Sequence, residues 1–186
     1  MIYPVTVYGD PILRKIAIPV EKDFEGLKEL VSNMFETMYH SDGVGLAAPQ
    51  IGKSLRIFVV DASPMADEEP ELKGFKKAFI NPEILERTGD EWIMNEGCLS
   101  LPDIHEDVSR PANVKIRYMD ENFTEHTEKY GGFAARVIQH EYDHLDGKLL
   151  VDYLPPLKKR ILKSKLTAIS KGKIKTSYRI VLPGKK

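Results

Sequence analysis

The stretch "QHEYDHLDG" at residues 139–147 sets His140 and His144 four positions apart, with Glu141 directly after the first. On a helix, residues i and i+4 stack on one face, so both imidazoles can meet a single ion. Glu141 lies about a hundred degrees round from His140, close enough to reach a water on that ion. The chemistry this set suits is metal-assisted hydrolysis, in which the ion activates water and the carboxylate moves its proton. Two inward histidines could also be core residues bonded to backbone, but the helix that carries them favours the metal.

A catalytic metal site takes three protein ligands and keeps one position open. Downstream of His144 the chain offers Asp146 and Asp152, and no further histidine or glutamate. Upstream, "EGCLSLP" offers Cys98, the chain's one cysteine. Gly97 leaves room for that thiol to approach a helix, and coordination would deprotonate it at neutral pH. Cys98, His140 and His144 would then leave a vacancy for water. A fourth protein ligand, from Asp146, Asp152 or His126, would instead make the site a structural one.

These residues need a frame. "GGFAARVIQHEYDHLDG" reads as a helix: Phe133, Val137, His140 and His144 form one stripe, and Gly147 is placed to stop it. Leu27, Leu30, Val31, Met34, Phe35 and Met38 predict an earlier amphipathic helix, capped by Asp23 and ending near Gly43. "GVGLAAPQIG" reads as a loop of small residues and "LRIFVVDA" as a buried strand. "FINPEIL" and "EWIMNEGCLSLP" read as two extended segments joined through "ERTGD", and "NVKIRYMD" as a half-buried strand. Residues 62–78 read as a surface loop, a helix starts near Leu157, and "KIKTSYRIVLP" closes as a strand. The expected fold is α+β over one domain, 1–186. Antiparallel and mixed strands pack around a central metal-binding HExxH helix, with further helices toward the N- and C-termini.

Composition narrows the class. With 42% hydrophobic and 30% charged residues the chain reads as an ordinary globular protein. It has no apolar run of membrane-span length, and "MIYPVTVYGD" lacks signal-peptide character, so a cytoplasmic location is expected. A single cysteine suits a reducing compartment. The net charge of −1 is unevenly spread: Leu157 to Lys186 holds eleven Lys and Arg and no acid, against 16 basic and 28 acidic residues before it. A basic tail on an acidic body suggests an anionic partner.

Three motifs, "GVGLAAPQ" at 43–50, "EGCLS" at 96–100 and "QHEYDHLDG" at 139–147, together resemble the peptide deformylases, and the likeness runs more loosely from "GDPILR" to "DYL". The resemblance implies that Cys98, His140 and His144 hold the metal and that Glu141 is the catalytic acid/base. It gives Gln50 and the Leu99 backbone N–H as donors to the developing oxyanion. The implied reaction removes the formyl group from the N-terminal formylmethionine of new polypeptides, releasing formate, with metal-bound water as nucleophile. Fe2+ is the implied metal in the cell, and Zn2+ or Ni2+ can occupy such a site. His105 departs from the arginine many members carry, so no substrate contact is carried over there. Gly43 and Gly45 would let an extended peptide lie against the loop backbone. Val44, Met94, Phe133 and Val137 are the apolar residues beside the motifs, with Glu96 and Gly97 expected at the pocket rim. The basic segment 157–186 is an expected ribosome contact, and removing residues after Lys171 is expected to leave short-peptide turnover intact.

Overall fold

In the computed structural model, which describes residues 1–184, the chain runs β1 (Val5–Thr6), α1 (Leu27–His40), β2 (Gly45–Ala47) and β3 (Ile57–Asp61). There follow β4 (Lys76–Gly97), β5 (His105–Met119), β6 (Glu125–Tyr130), α2 (Gly132–Leu145), α3 (Pro156–Ser170) and β7 (Ile180–Val181). Strands β2 to β6 form an antiparallel sheet in sequence order, and β1 pairs with β7 in parallel. The fold is mixed α+β with three α-helices among the described residues.

Strand β3 explains how the sheet carries a helix on each face. Its side chains alternate: Ile57 and Val59 pack with Leu30, Met34 and Met38 of α1, while Phe58 and Val60 pack with Ala134, Ala135 and Ile138 of α2. All four strand residues are fully buried, so no polar face is left to read. A third apolar cluster, with Val7, Leu13, Leu101, Leu150, Leu166 and Ile169, joins the N-terminal segment to α3.

Four expectations change. β4 is one strand of 22 residues rather than two segments, because register shifts at Ile80/Glu83, Ile84/Glu86 and Thr88/Glu91 absorb the residues that read as breaks. The small-residue loop supplies strand β2 and a 3-10 turn at Ala48–Ile51. Helix α1 starts on Gly26 in the left-handed region, with no side-chain cap from Asp23. The chain after Lys171 is built into the fold: β7 pairs with β1, and the Tyr178 hydroxyl donates to the Leu99 carbonyl at 2.8 Å. Turnover should therefore not survive its removal intact. Lys185 and Lys186 of the basic segment lie outside the described residues.

Helix α2 is buried along almost its whole circumference, including Arg136, Gln139, His140, Glu141, Asp143 and His144. Buried charge requires partners, and these define the site. At its N-terminus the Glu69 carboxylate accepts from the Phe133 N–H at 3.1 Å, a cap supplied from the 62–78 segment. At its other end Gly147 has φ of +70°, and a Cβ there would lie 2.6 Å from the Arg14 carbonyl oxygen. Only glycine fits that turn.

Candidate active site

Helix α2 aims His140 and His144 toward Cys98, which follows the end of β4. Cys98 Sγ lies 3.4 Å from His144 Nε2, and one donor atom from each of Cys98, His140 and His144 falls within 4.8 Å of the others. A tetrahedral ion with bonds of about 2.0–2.3 Å sets its ligands roughly 3.5 Å apart. The three donors fit that requirement with little movement. Among the described residues no fourth ligand joins them: His126 pairs with Asp120, Asp146 with Arg56 and Asp152 with Arg14.

The two histidines sit in opposite electrostatic settings. Burial disfavours charge on His140, but the neighbouring Cys98 and Glu96 outweigh it and hold His140 well above the usual imidazole range. Burial, reinforced by that charge, pushes His144 well below. Cys98 and Glu96 thus favour positive charge at His140, while burial and that charge disfavour it at His144. His140 Nδ1 is taken up by Glu96 Oε2 at 2.9 Å, which turns Nε2 toward the thiol.

Glu96 is not at a rim. It is 6% exposed and sits at the centre of a buried ion network. Arg110 Nε donates to its Oε1 at 2.7 Å, Arg110 Nη2 to its Oε2 at 3.0 Å and Arg136 Nη1 to Oε1 at 2.9 Å. Arg110 also donates to Asp143 at 2.7 Å, and the Tyr153 hydroxyl donates to the same carboxylate oxygen at 2.7 Å. Burial alone would raise the Glu96 carboxyl, but the bonds from His140 and Arg110 hold it well below the usual carboxylate range. Sequence reading missed Arg110, Arg136 and Asp143. The available signal was the presence of Arg136 and Asp143 on a helix whose histidines had to face inward.

Glu141 is 4% exposed, and its Oε2 is buried without a hydrogen-bond partner among the described residues. Burial raises its carboxyl to about 7. A Cβ on Gly45 would come within 2.5 Å of Glu141 Oε1, so the glycine makes room for the carboxylate. Gln50 is 1% exposed: Oε1 accepts from the Ala47 N–H at 2.8 Å, and Nε2 faces Ser100 Oγ at 3.3 Å and Cys98 Sγ at 3.7 Å. That anchoring fixes the amide with its donor side toward the thiol. The Leu99 N–H makes no hydrogen bond among the described residues.

These groups share one cavity of about 620 Å³, a volume typical of a small-ligand site. Gly43, Val44 and Gly45 line it on one side, and Met94, Glu96, Gly97, Cys98 and Leu99 on another. Phe133, Val137, His140 and Glu141 close it from α2, with Gln50 behind. His144 stands behind Cys98 rather than in the lining. Unforeseen in the sequence, residues 175–178 form a further wall, with Asp42, Asp103 and His105 at the outer edge.

Residues 2–160 match the family model for polypeptide deformylase. The chain is 52% identical to a peptide deformylase of Christiangramia forsetii, over all of this chain and 98% of that protein. It is 53% identical to one of Cytophaga hutchinsonii over the full length of both. Among solved structures, the peptide deformylase of Thermus thermophilus superposes with a TM-score of 0.82 at 40% identity, over 92% of this chain and 99% of that one. That of Legionella pneumophila gives 0.81 at 39% identity, over 93% and 98%. The chain belongs to the polypeptide deformylase family, metal-dependent hydrolases that remove the formyl group from the N-terminus of newly made polypeptides.

Proposed function

We propose that the chain is one catalytic domain in which Cys98, His140 and His144 hold the metal, with α2 as the central metal-binding helix. Fe2+ is the ion we assign in the cell, with Zn2+ or Ni2+ able to replace it. The observation that carries this reading is the convergence of three motifs, far apart in the chain, on one cavity, with a thiol and two imidazoles within 4.8 Å. When bound, the ion supplies a nucleophilic hydroxide near neutral pH, by lowering the pKa of water from ~16 toward ~7.

The protein's own groups then act around it. Glu141 Oε2, buried and unpartnered among the described residues, takes the proton of the attacking water and delivers it to the leaving amine nitrogen. Gln50 Nε2, held by the Ala47 bond to its Oε1, and the backbone N–H of Leu99 receive the oxyanion that forms on the formyl oxygen. Each such donor is worth about 3 kcal/mol when preorganised. Glu96 fixes the tautomer and orientation of His140 through its 2.9 Å bond to Nδ1. The peptide lies extended along Gly43–Gly45, and Val44, Met94, Phe133 and Val137 receive the methionine side chain, with Gly97 beside it.

The test is formate release from a formyl-Met peptide by metal-replete protein, compared with chelated protein and with Glu141→Ala. Turnover that survives chelation, or a metal-replete Glu141→Ala protein with near-normal rate, contradicts the reading. We further propose a cytoplasmic location and contact with the ribosome, where formylated chains emerge. Lys159, Arg160 and Lys163 on the exposed side of α3 support that contact. Replacing the three with glutamate should abolish low-salt cosedimentation with ribosomes and leave turnover of a short formyl-peptide intact. Unchanged cosedimentation would end the docking idea. No helix among the described residues is long and apolar enough to cross a membrane.

A further inference from the structure

In the segment after α3, residues Lys175, Thr176, Ser177 and Tyr178 line the same cavity as Gln50, Cys98 and Glu141. The match to the family model ends at residue 160, so this wall lies beyond it. The wall is firmly tied. Val5 N–H donates to the Arg179 carbonyl at 2.8 Å and Val7 N–H to the Val181 carbonyl at 3.3 Å, while Thr176 Oγ1 donates to the Tyr178 carbonyl at 2.7 Å. From this frame the Tyr178 hydroxyl donates to the Leu99 carbonyl at 2.8 Å.

The neighbours of Leu99 are held by other bonds. Leu101 N–H donates to the Cys98 carbonyl and Tyr8 N–H to the Ser100 carbonyl, both at 2.9 Å, and Gln50 Nε2 faces Ser100 Oγ. Of the polar groups belonging to Leu99 itself, the carbonyl has Tyr178 as its partner and the N–H is free, among the described residues. The bond from Leu101 to the Cys98 carbonyl closes a turn whose first peptide plane carries the Leu99 N–H, and the Tyr178 bond holds the next plane, so the two together fix residue 99.

We propose that Tyr178 is a positioning residue for the deformylation reaction: by clamping the Leu99 carbonyl it locks the turn at residues 98–101, whose first peptide presents the Leu99 N–H to the site that Gln50 faces. The C-terminal strand thereby completes the oxyanion site from the opposite end of the chain. This rests on the proposed role of Gln50 and Leu99 as oxyanion donors, and the experiment separates the two.

Tyr178→Phe and Gln50→Ala are compared with the unaltered full chain, each metal-replete, with kcat and KM measured on one formyl-Met peptide. Removing a neutral hydrogen bond should lower kcat about threefold to tenfold in Tyr178→Phe with KM little changed, while Gln50→Ala should lower kcat about a hundredfold or more. Because the chain has one cysteine, 13C-carbonyl Cys and 15N-Leu labelling isolates the Leu99 amide as a single resonance in the zinc-loaded protein. That resonance should shift and broaden in Tyr178→Phe if the clamp orients it. A large loss in Gln50→Ala with unaltered kcat and an unaltered Leu99 resonance in Tyr178→Phe overturns the positioning role alone. Near-normal kcat in Gln50→Ala overturns the oxyanion reading beneath it. A Tyr178→Phe loss explained entirely by lost metal or lost folded protein also overturns the proposal.

Discussion

Glu96→Ala is the substitution whose consequences follow most directly from the geometry. The carboxylate accepts from His140, Arg110 and Arg136, and all four groups are buried. Two guanidiniums face two carboxylates, Glu96 and Asp143, and His140 shares Glu96 with them. Deleting Glu96 leaves buried positive charge uncompensated and takes the acceptor from the His140 Nδ1–H. Breaking a buried pair from one side costs roughly 3–5 kcal/mol. At about 2–4 °C per kcal/mol for a domain of this size, the melting temperature of metal-free protein should fall by roughly 6–20 °C. Loss of the bond that orients His140 should also weaken metal binding about tenfold to a hundredfold. Thermal denaturation followed by circular dichroism reads the first effect, and competition with a zinc chelator reads the second. Glu96→Gln, which keeps the shape but turns an amide NH2 toward other donors, should fall between. A Glu96→Ala protein melting within about 2 °C of the unaltered chain, with unchanged zinc affinity, would refute this reasoning.

Cys98→Ser and His144→Ala should each lose metal and activity together, measured by metal analysis of the purified proteins alongside formate release. Glu141→Ala should retain metal while turnover falls at least about a hundredfold. Gly45→Ala should do the same by a different route, since its Cβ would press within 2.5 Å of Glu141 Oε1; full activity in that variant would mean the carboxylate has room to spare. Replacing the methionine of a formyl-peptide by alanine removes about three buried heavy atoms, or roughly 2 kcal/mol at ~0.8 kcal/mol per methylene. The ratio of kcat/KM values should therefore exceed tenfold, and equal processing of both peptides would remove the proposed side-chain pocket.

Much of the frame was legible because its signals are local. The i, i+4 histidines and the stopping Gly147 gave α2, and the apolar spacing from Leu27 to Met38 gave α1. The continuous apolar run of β3 read as buried, and it has a helix on each face. What escaped reading depends on distance in sequence or on compensation. β4 passes through Pro82 and Gly89, which look like breaks, but bulges absorb them and the ladder to β5 continues. The small residues Gly45 to Ala47 carry too little side chain to show a strand period, yet they pair with β3. Glu96 looked like a polar rim residue because its partners Arg110 and Arg136 lie 14 and 40 positions away. The closing strand in "KIKTSYRIVLP" was legible, but its pairing with β1 and the place of residues 175–178 in the cavity wall depend on contacts far apart in the chain.

The central claim is that Cys98, His140 and His144 hold one ion with a position left open for chemistry. X-ray absorption at the metal edge of the isolated, active protein tests it most directly. The expected shell has one sulfur at about 2.3 Å, two imidazole nitrogens at about 2.0–2.1 Å and one further light atom that an added hydroxamate displaces. A shell without sulfur, or a fourth position filled by a protein atom that no ligand displaces, would contradict it.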